Sequence, residues 1–231
     1  MDLGCGDGRV TVILKKHLPK EVTNLVATDI NENMINFAKE KYADENINFD
    51  VLNIEGELRE EWKSGFNHVF SFLMMQFVKN QETAFQNIYS LLTEGGDCLL
   101  TILRGMPCYE LVLNAARDTK WSSNWIRDPY RFVSPYYHMQ DPVKSVTEIM
   151  EKIGFTDINV TCKKMIHVMK NGTEFKNFLK SVEPFKLPEE VFEELSQDSI
   201  PVAQQIGILD KSEMSFEDRR TPIYFHYEIV L

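Results

Sequence analysis

Glycine recurs at every second position near the start of the chain, in the heptapeptide D-L-G-C-G-D-G at residues 2–8. Gly4 and Gly6 permit a tight turn and a close approach of a ligand to the backbone, because they have no Cβ atom. From Arg9 to Leu18, apolar residues recur at helical spacing, and Pro19 ends the segment. The heptapeptide therefore predicts a tight loop between a strand and a helix whose N-terminus can bind a polar ligand.

An acidic residue at the end of the next predicted strand strengthens the prediction of a ligand-binding loop. Residues 24–29 (N-L-V-A-T-D) form a short apolar strand that ends on Asp29. In nucleotide-binding doubly wound sheets, a carboxylate at this position accepts hydrogen bonds from a ribose. A tight turn without a ligand remains the alternative for the glycines. A helix-start acid is the alternative for Asp29, but Asn31 is a better N-cap for the next helix.

Strands and helices alternate through the first hundred residues, which predicts an α/β fold with a parallel sheet and right-handed crossovers. After Arg104 the pattern loosens into an aromatic segment at 121–142, followed by further helices and a terminal strand. The predicted strands are 24–29, 47–52, 66–74, 97–103, 155–168 and 223–231, and the predicted helices are 9–18, 32–42, 83–92 and 143–153, with two more within 174–199.

Composition narrows the class of protein. The net charge of −10 argues against nucleic acid, whose phosphates need clustered Lys and Arg, and against an anionic membrane surface. The longest apolar run, 69–77, is too short to span a bilayer. The four cysteines lack the spacing of metal ligands or of a disulfide framework. We expect a cytoplasmic protein with no metal, one domain over 1–231 and no membrane insertion; the oligomeric state is left open.

The chain carries four motifs in this order: D-L-G-C-G-D-G at 2–8, V-A-T-D-I at 26–30, F-N-H-V-F-S at 66–71 and T-E-G-G at 93–96. Together they resemble those of a class I S-adenosylmethionine-dependent methyltransferase. The chain is most similar to the insect juvenile hormone acid methyltransferases within that superfamily, through 71–81 (S-F-L-M-M-Q-F-V-K-N-Q), the aromatic segment and 182–188 (V-E-P-F-K-L-P).

The resemblance implies a doubly wound, Rossmann-like, mostly parallel sheet with an antiparallel C-terminal strand. Residues 2–104 would form the cofactor-binding half, and 105–231 the acceptor-binding and sheet-completing half. Only two or three residues of the first central strand precede the glycine loop. We therefore expect that strand to be largely missing and the chain to be truncated at its N-terminus.

The cofactor implied by the resemblance is S-adenosyl-L-methionine. The loop and its first acid would face the methionine part, Asp29 the ribose, and the residues after the second and third strands the adenine. Asn53 stands where the family usually has Asp, and its side-chain carbonyl can still accept a hydrogen bond. The implied cofactor-binding residues are Asp2, Gly4, Cys5, Gly6, Gly8, Asp29, Ile30, Met34, Asn53, Ile54, Ser71 and Phe72.

The acceptor implied by the resemblance is a small hydrophobic carboxylic acid of the juvenile hormone acid or farnesoic acid type. Gln76 and Phe77, which replace the family's His-Trp pair, are the catalytic candidates, with Gln76 facing the acceptor carboxylate. A methyltransferase for another small acid, such as an aconitate-like metabolite, and a degenerate or truncated non-catalytic paralogue stay open as alternatives. The candidate pocket residues are Met74, Met75, Trp121, Trp125, Tyr136 and Tyr137.

Overall fold

The computed structural model describes residues 1–22 and 24–230, which fall into two compact units. Among these residues, unit 1 comprises 1–102, 141–161 and 230, and unit 2 comprises 103–140 and 162–229. The expectation of one domain with halves 2–104 and 105–231 stays a prediction.

Parallel pairing organises the sheet around its first strand. Asp2 pairs with Ala27 on one side and with Phe70 on the other, so the two-residue strand β1 lies between β2 and β4. The strand order is β3-β2-β1-β4-β5-β7-β6, with an antiparallel C-terminal strand, which confirms the predicted mostly parallel α/β fold. The strands are β1 (Asp2–Leu3), β2 (Val26–Asp29), β3 (Asn48–Val51), β4 (Phe66–Phe72), β5 (Leu92–Gly105), β6 (Cys162–Met169) and β7 (Ile223–Val230).

Helices alternate with the strands of unit 1 and also occur throughout unit 2. None within residues 1–22 or 24–230 is long and apolar enough to cross a bilayer. The helices are α1 (Arg9–Lys15), α2 (Glu32–Lys41), α3 (Gln81–Leu91), α4 (Cys108–Ala115), α5 (Thr119–Ser122), α6 (Pro142–Ile153), α7 (Gly172–Val182), α8 (Glu189–Asp198) and α9 (Ile200–Gln205).

The local sequence explains where helix α2 begins and which of its faces is buried. The Asn31 side chain accepts a hydrogen bond from the Asn33 amide, so the predicted N-cap is confirmed. Ile35 and Ala38 are fully buried one turn apart. Met34, which the pattern places inward, is 42% exposed, because it lies at the margin of the stripe that Ile35 and Ala38 bury.

Two predicted strand boundaries are wrong by five residues or more, and smaller differences include β4, predicted to reach residue 74, which ends at Phe72. Strand β5 begins at Leu92, directly after α3, because the sheet accommodates Gly95 and Gly96 in an irregularity between the pairs Phe66–Leu92 and His68–Asp97. The strand predicted over 155–168 begins only at Cys162. Asp157 has a φ of 52° in the left-handed region, which no regular strand contains.

Unit 2 has a hydrophobic core of its own. The rings of Tyr109 and Phe132 meet edge to face at 5.4 Å, and those of Phe175 and Phe216 lie 5.5 Å apart. All four residues are at most 3% exposed. Much of this core comes from α4, α7 and α9, and α4 and α9 are helices that the sequence pattern did not predict.

Candidate active site

The glycine loop has the backbone that the sequence predicts. Gly4, Gly6 and Gly8 all lie in the left-handed region, with φ values of 74°, 54° and 80°. A Cβ atom on Gly4 would lie 2.2 Å from Cγ and 2.4 Å from Cβ of Met74, so the segment after β4 packs directly on the loop. A Cβ atom on Gly6 would meet nothing within 4 Å, which leaves its backbone open to a ligand.

Hydrogen bonds tie the loop to the end of β2. The amides of Gly4 and Cys5 both donate to the Thr28 carbonyl, at 2.7 and 2.9 Å. The Gly6 amide donates to Asp29 Oδ2 at 3.0 Å, and the Asn31 amide donates to Asp29 Oδ1 at 2.8 Å. The carboxylate of Asp29 therefore joins the glycine loop to the start of α2 through both of its oxygens.

Asp2 and Cys5 are both buried, and burial raises the pKa of each. Asp2 is 1% exposed and accepts a 2.6 Å hydrogen bond from the Thr11 hydroxyl. Burial raises the pKa of Asp2 to about 6, although the Thr11 hydroxyl opposes the shift. Burial also raises the pKa of the Cys5 thiol to about 12, and the nearby carboxylate of Asp2 adds to this effect. Cys5 is therefore a neutral thiol.

The expected adenine side combines exposed apolar side chains with a fixed loop. Ile30 is 66% and Met34 42% exposed, whereas Ile54 is buried. Asn53 Oδ1 accepts a hydrogen bond from the Glu55 amide at 3.0 Å. The Asn87 side chain on α3 donates to the carbonyls of Ile54 and Gly56, at 2.7 and 2.8 Å, and so holds this loop from behind.

The segment after β4 separates its side chains into an inner and an outer set. Met75 is fully buried and Gln76 is 4% exposed, whereas Leu73 and Phe77 are 46% and 50% exposed. Gln81, at the start of α3, donates to the carbonyls of Met75 and Val78. Further back, Ser71 on β4 is buried and its hydroxyl donates to the Leu3 carbonyl, and Phe72 beside it is half-buried.

The aromatic pocket candidates lie in unit 2. Trp121 is buried and its Nε1 donates to Asp198 at 3.1 Å. Trp125 is half-buried beside the cluster that contains Trp121. Tyr136 is buried, and the Tyr137 hydroxyl donates to the Glu110 carboxylate. Burial raises the pKa of both tyrosines.

Unit 1 thus brings the predicted cofactor-binding residues to one edge of the sheet, where the parallel strands β1, β2, β3 and β4 end. The sequence analysis did not single out two residues at this edge: Leu73, which follows β4, and Asn87, which holds the Asn53–Ile54 loop. Asn87 had a signal, because it shares a helical face with the buried residues Ala84, Ile88 and Leu91. Leu73 had none, because its φ of 55° is not encoded in a recognisable motif.

The donor set fits a nucleoside with a charged amino-acid tail. Polar groups are available at the Gly6 backbone and at the carboxylate of Asp29. The exposed side chains of Ile30 and Met34 add an apolar surface. No group of three or more His, Cys, Asp or Glu side chains in the described part of the chain is placed to hold a metal ion.

This fold and this loop define a class I methyltransferase, and comparisons with known proteins agree. Residues 1–96 match the family model described as a methyltransferase domain. A juvenile hormone acid O-methyltransferase of Bombyx mori is 37% identical over the whole chain and 82% of its own length. The Drosophila melanogaster enzyme of that name is 33% identical over 90% of the chain and 71% of its own length.

The chain belongs to the juvenile hormone acid O-methyltransferase family, and it is an S-adenosylmethionine-dependent methyltransferase. Solved structures share the fold alone. The YcgJ protein of Bacillus subtilis has a TM-score of 0.59 and 13% identity, over 99% of this chain and 87% of that one. A Haemonchus contortus phosphoethanolamine N-methyltransferase has a TM-score of 0.55 and 18% identity, over 99% of this chain and 47% of that one.

Proposed function

We propose that the protein methylates the carboxylate of a small hydrophobic acid of the juvenile hormone acid or farnesoic acid type. The observation that carries the proposal is the identity of 37% with the Bombyx mori enzyme, which extends through both units of the chain. A match over the whole chain does not favour a degenerate paralogue or an aconitate-like acceptor.

We assign the cofactor to the edge of the sheet where β1, β2 and β4 end. Asp2 and the backbone of Gly4 to Gly6 would hold the methionine part, with the carbonyls of Ser71 and Phe72. Asp29 would bind the ribose, because each of its oxygens has a lone pair beyond the one that accepts a backbone amide. Ile30, Met34 and the loop at Asn53–Ile54 would contact the adenine. When bound, S-adenosylmethionine supplies a methyl group on a positively charged sulfur.

The acceptor needs little help from acid–base chemistry. A carboxylic acid has a pKa of about 4 and is ionised at neutral pH, so no residue has to remove a proton. The chain's contribution is therefore alignment of the reactants and exclusion of water, which together can account for several kcal/mol. The half-exposed ring of Phe77 is a candidate to exclude water, because the Phe77 amide bonds to the carbonyl of Met74, whose side chain packs on the glycine loop.

The hydrocarbon of the acceptor needs apolar surface. Met74, Trp125 and Tyr137 are the candidates that retain accessible surface. Met75, Trp121 and Tyr136 are buried, so we propose that each supports the packing of its own unit and does not contact the acceptor.

Transfer of a radiolabelled methyl group tests the proposal. The chain is incubated with labelled S-adenosylmethionine and farnesoic acid, and in parallel with aconitic acid. We expect label in the farnesoic ester and none in aconitate. Labelled aconitate, or calorimetric binding of S-adenosylhomocysteine with no transfer to farnesoic acid, would contradict the assigned acceptor.

A further inference from the structure

Leu73 is the first residue beyond β4, and its backbone is strained. Its φ of 55° lies in the left-handed region. A bulky residue is seldom found there, because its side chain clashes with the neighbouring backbone. Such strain persists only where surrounding contacts enforce it.

Two neighbours enforce the conformation. The Leu73 amide donates to the Thr101 carbonyl at 2.8 Å and lies 3.2 Å from the Thr101 hydroxyl oxygen. The Leu73 carbonyl accepts a hydrogen bond from Gln76 Nε2 at 2.5 Å. Both backbone polar groups of Leu73 are therefore held by hydrogen bonds, which set the direction of its Cα–Cβ bond.

The side chain so held is 46% exposed at the carboxyl edge of the sheet. Ligands of open α/β sheets bind outside this edge. Met74, the next residue, contacts Gly4 of the glycine loop, and Phe77 presents a second half-exposed apolar side chain one turn later. Gln76 itself is 4% exposed, so it offers little surface to an acceptor.

We propose that Leu73 is a specificity-determining residue that contacts the hydrocarbon of the acceptor, and that Gln76 is a positioning residue that acts through Leu73. The inference rests on the proposed function, and it names a different task for Gln76. If Gln76 instead bound the acceptor carboxylate directly, its loss would affect every carboxylic acid alike.

Kinetics of the full chain with two acids separate these roles. The variants Leu73→Ala and Leu73→Gly are assayed with farnesoic acid and with a six-carbon unsaturated acid. We expect the KM for farnesoic acid to rise about fivefold to tenfold. This is the loss expected when the acceptor no longer buries about half of a leucine side chain. The KM for the short acid and for S-adenosylmethionine should change less than twofold. Leu73→Gly also controls for folding, because glycine adopts this φ without strain.

A double-mutant cycle tests the positioning role. Gln76→Leu removes the donor, and we expect the same selective rise in the KM for farnesoic acid as for Leu73→Ala. In the Leu73→Gly background, Gln76→Leu should add less than twofold, because the two residues act as one unit. Gln76→His, which keeps a ring N–H donor, should recover most of the wild-type KM.

The outcomes distinguish this inference from the proposed function. An active wild-type chain whose Leu73→Gly variant keeps the wild-type KM for farnesoic acid overturns the inference alone. An equal loss with both acids in Gln76→Leu assigns Gln76 to the carboxylate and overturns the positioning role. A wild-type chain that binds S-adenosylhomocysteine but methylates neither acid contradicts the proposed function and the inference together.

Discussion

Asp29 uses both carboxylate oxygens to hold the two loops that flank it. One oxygen accepts from the Gly6 amide and the other from the Asn31 amide. An amide side chain has only one acceptor oxygen, so it cannot serve both loops. The residue therefore shapes the proposed ribose site as well as offering it a charge.

Replacing Asp29 with Asn should weaken binding of S-adenosylhomocysteine by about 10-fold to 100-fold, the value of one charge-assisted hydrogen bond and its geometry. Calorimetric titration measures the change. Asp7→Asn is the matched control, because within the described part of the chain Asp7 accepts the Arg9 amide alone, and Asn can still do so. Equal losses of affinity in both variants would show that binding depends on the total negative charge near the loop and not on the position of Asp29.

Asp2 makes the stability of the fold depend on pH. Burial raises its pKa from 3.8 to about 6, so ionisation opposes folding. The cost is absent below about pH 4, grows between pH 4 and 6, and is complete above pH 6, where it amounts to at most about 3 kcal/mol.

Asp2→Asn should therefore raise the free energy of unfolding at pH 7 and leave it unchanged near pH 4. Asn keeps an acceptor for the Thr11 hydroxyl. Urea unfolding of both proteins between pH 4 and 8 measures the difference. If the two proteins differed in free energy of unfolding by the same amount at pH 4 and at pH 8, ionisation of Asp2 would not be the cause of the difference. The variant should also bind the methionine ammonium less tightly.

At the scale of the elements, the glycine loop offers a matched pair of substitutions. Gly4→Ala forces a Cβ atom against Met74 and also strains the backbone, whereas Gly6→Ala only strains the backbone. We expect Gly4→Ala to lower the melting temperature clearly more than Gly6→Ala, whose strain costs about 1 kcal/mol. Gly6→Ala should mainly weaken binding of S-adenosylhomocysteine. Thermal unfolding measures the melting temperatures of both variants, and titration measures their affinities. A lower melting temperature for Gly6→Ala than for Gly4→Ala would contradict the prediction.

The sequence predicts elements where local signals and burial agree. Helix α6 is an example: the helix predicted over 143–153 spans Pro142–Ile153, and Gly154 ends it with a φ of 113°. The structure adds a cap at its start, where the Asp141 side chain accepts the Lys144 amide. Prediction fails where pairing overrides local preference. Gly95 and Gly96 suggest a turn, yet the sheet takes them into β5, because the neighbouring strand supplies partners on either side of the irregularity. The conformation of Leu73 depends on Thr101 and is visible only in three dimensions.

At the scale of the whole molecule, the cofactor should stabilise the folded chain by mass action. At 100 times its dissociation constant, S-adenosylhomocysteine adds about 2.7 kcal/mol to the free energy of unfolding. For a chain of 231 residues this corresponds to a rise of about 5–10 °C in melting temperature. Differential scanning calorimetry measures the rise. Asp29→Asn at the same ligand concentration should show a smaller one, and an equal rise would place the ligand elsewhere.

Leu73 also has a consequence for the way such an enzyme can evolve. At most positions beside a site, losing the side chain also weakens the fold, so selection for folding protects the residue. At Leu73 the left-handed backbone reverses this relation, since glycine or asparagine there would relieve strain. Drift should therefore replace Leu73 early in any lineage that no longer needs its acceptor. For the same reason, a randomised library at this position should yield mostly folded proteins with altered acceptor preference.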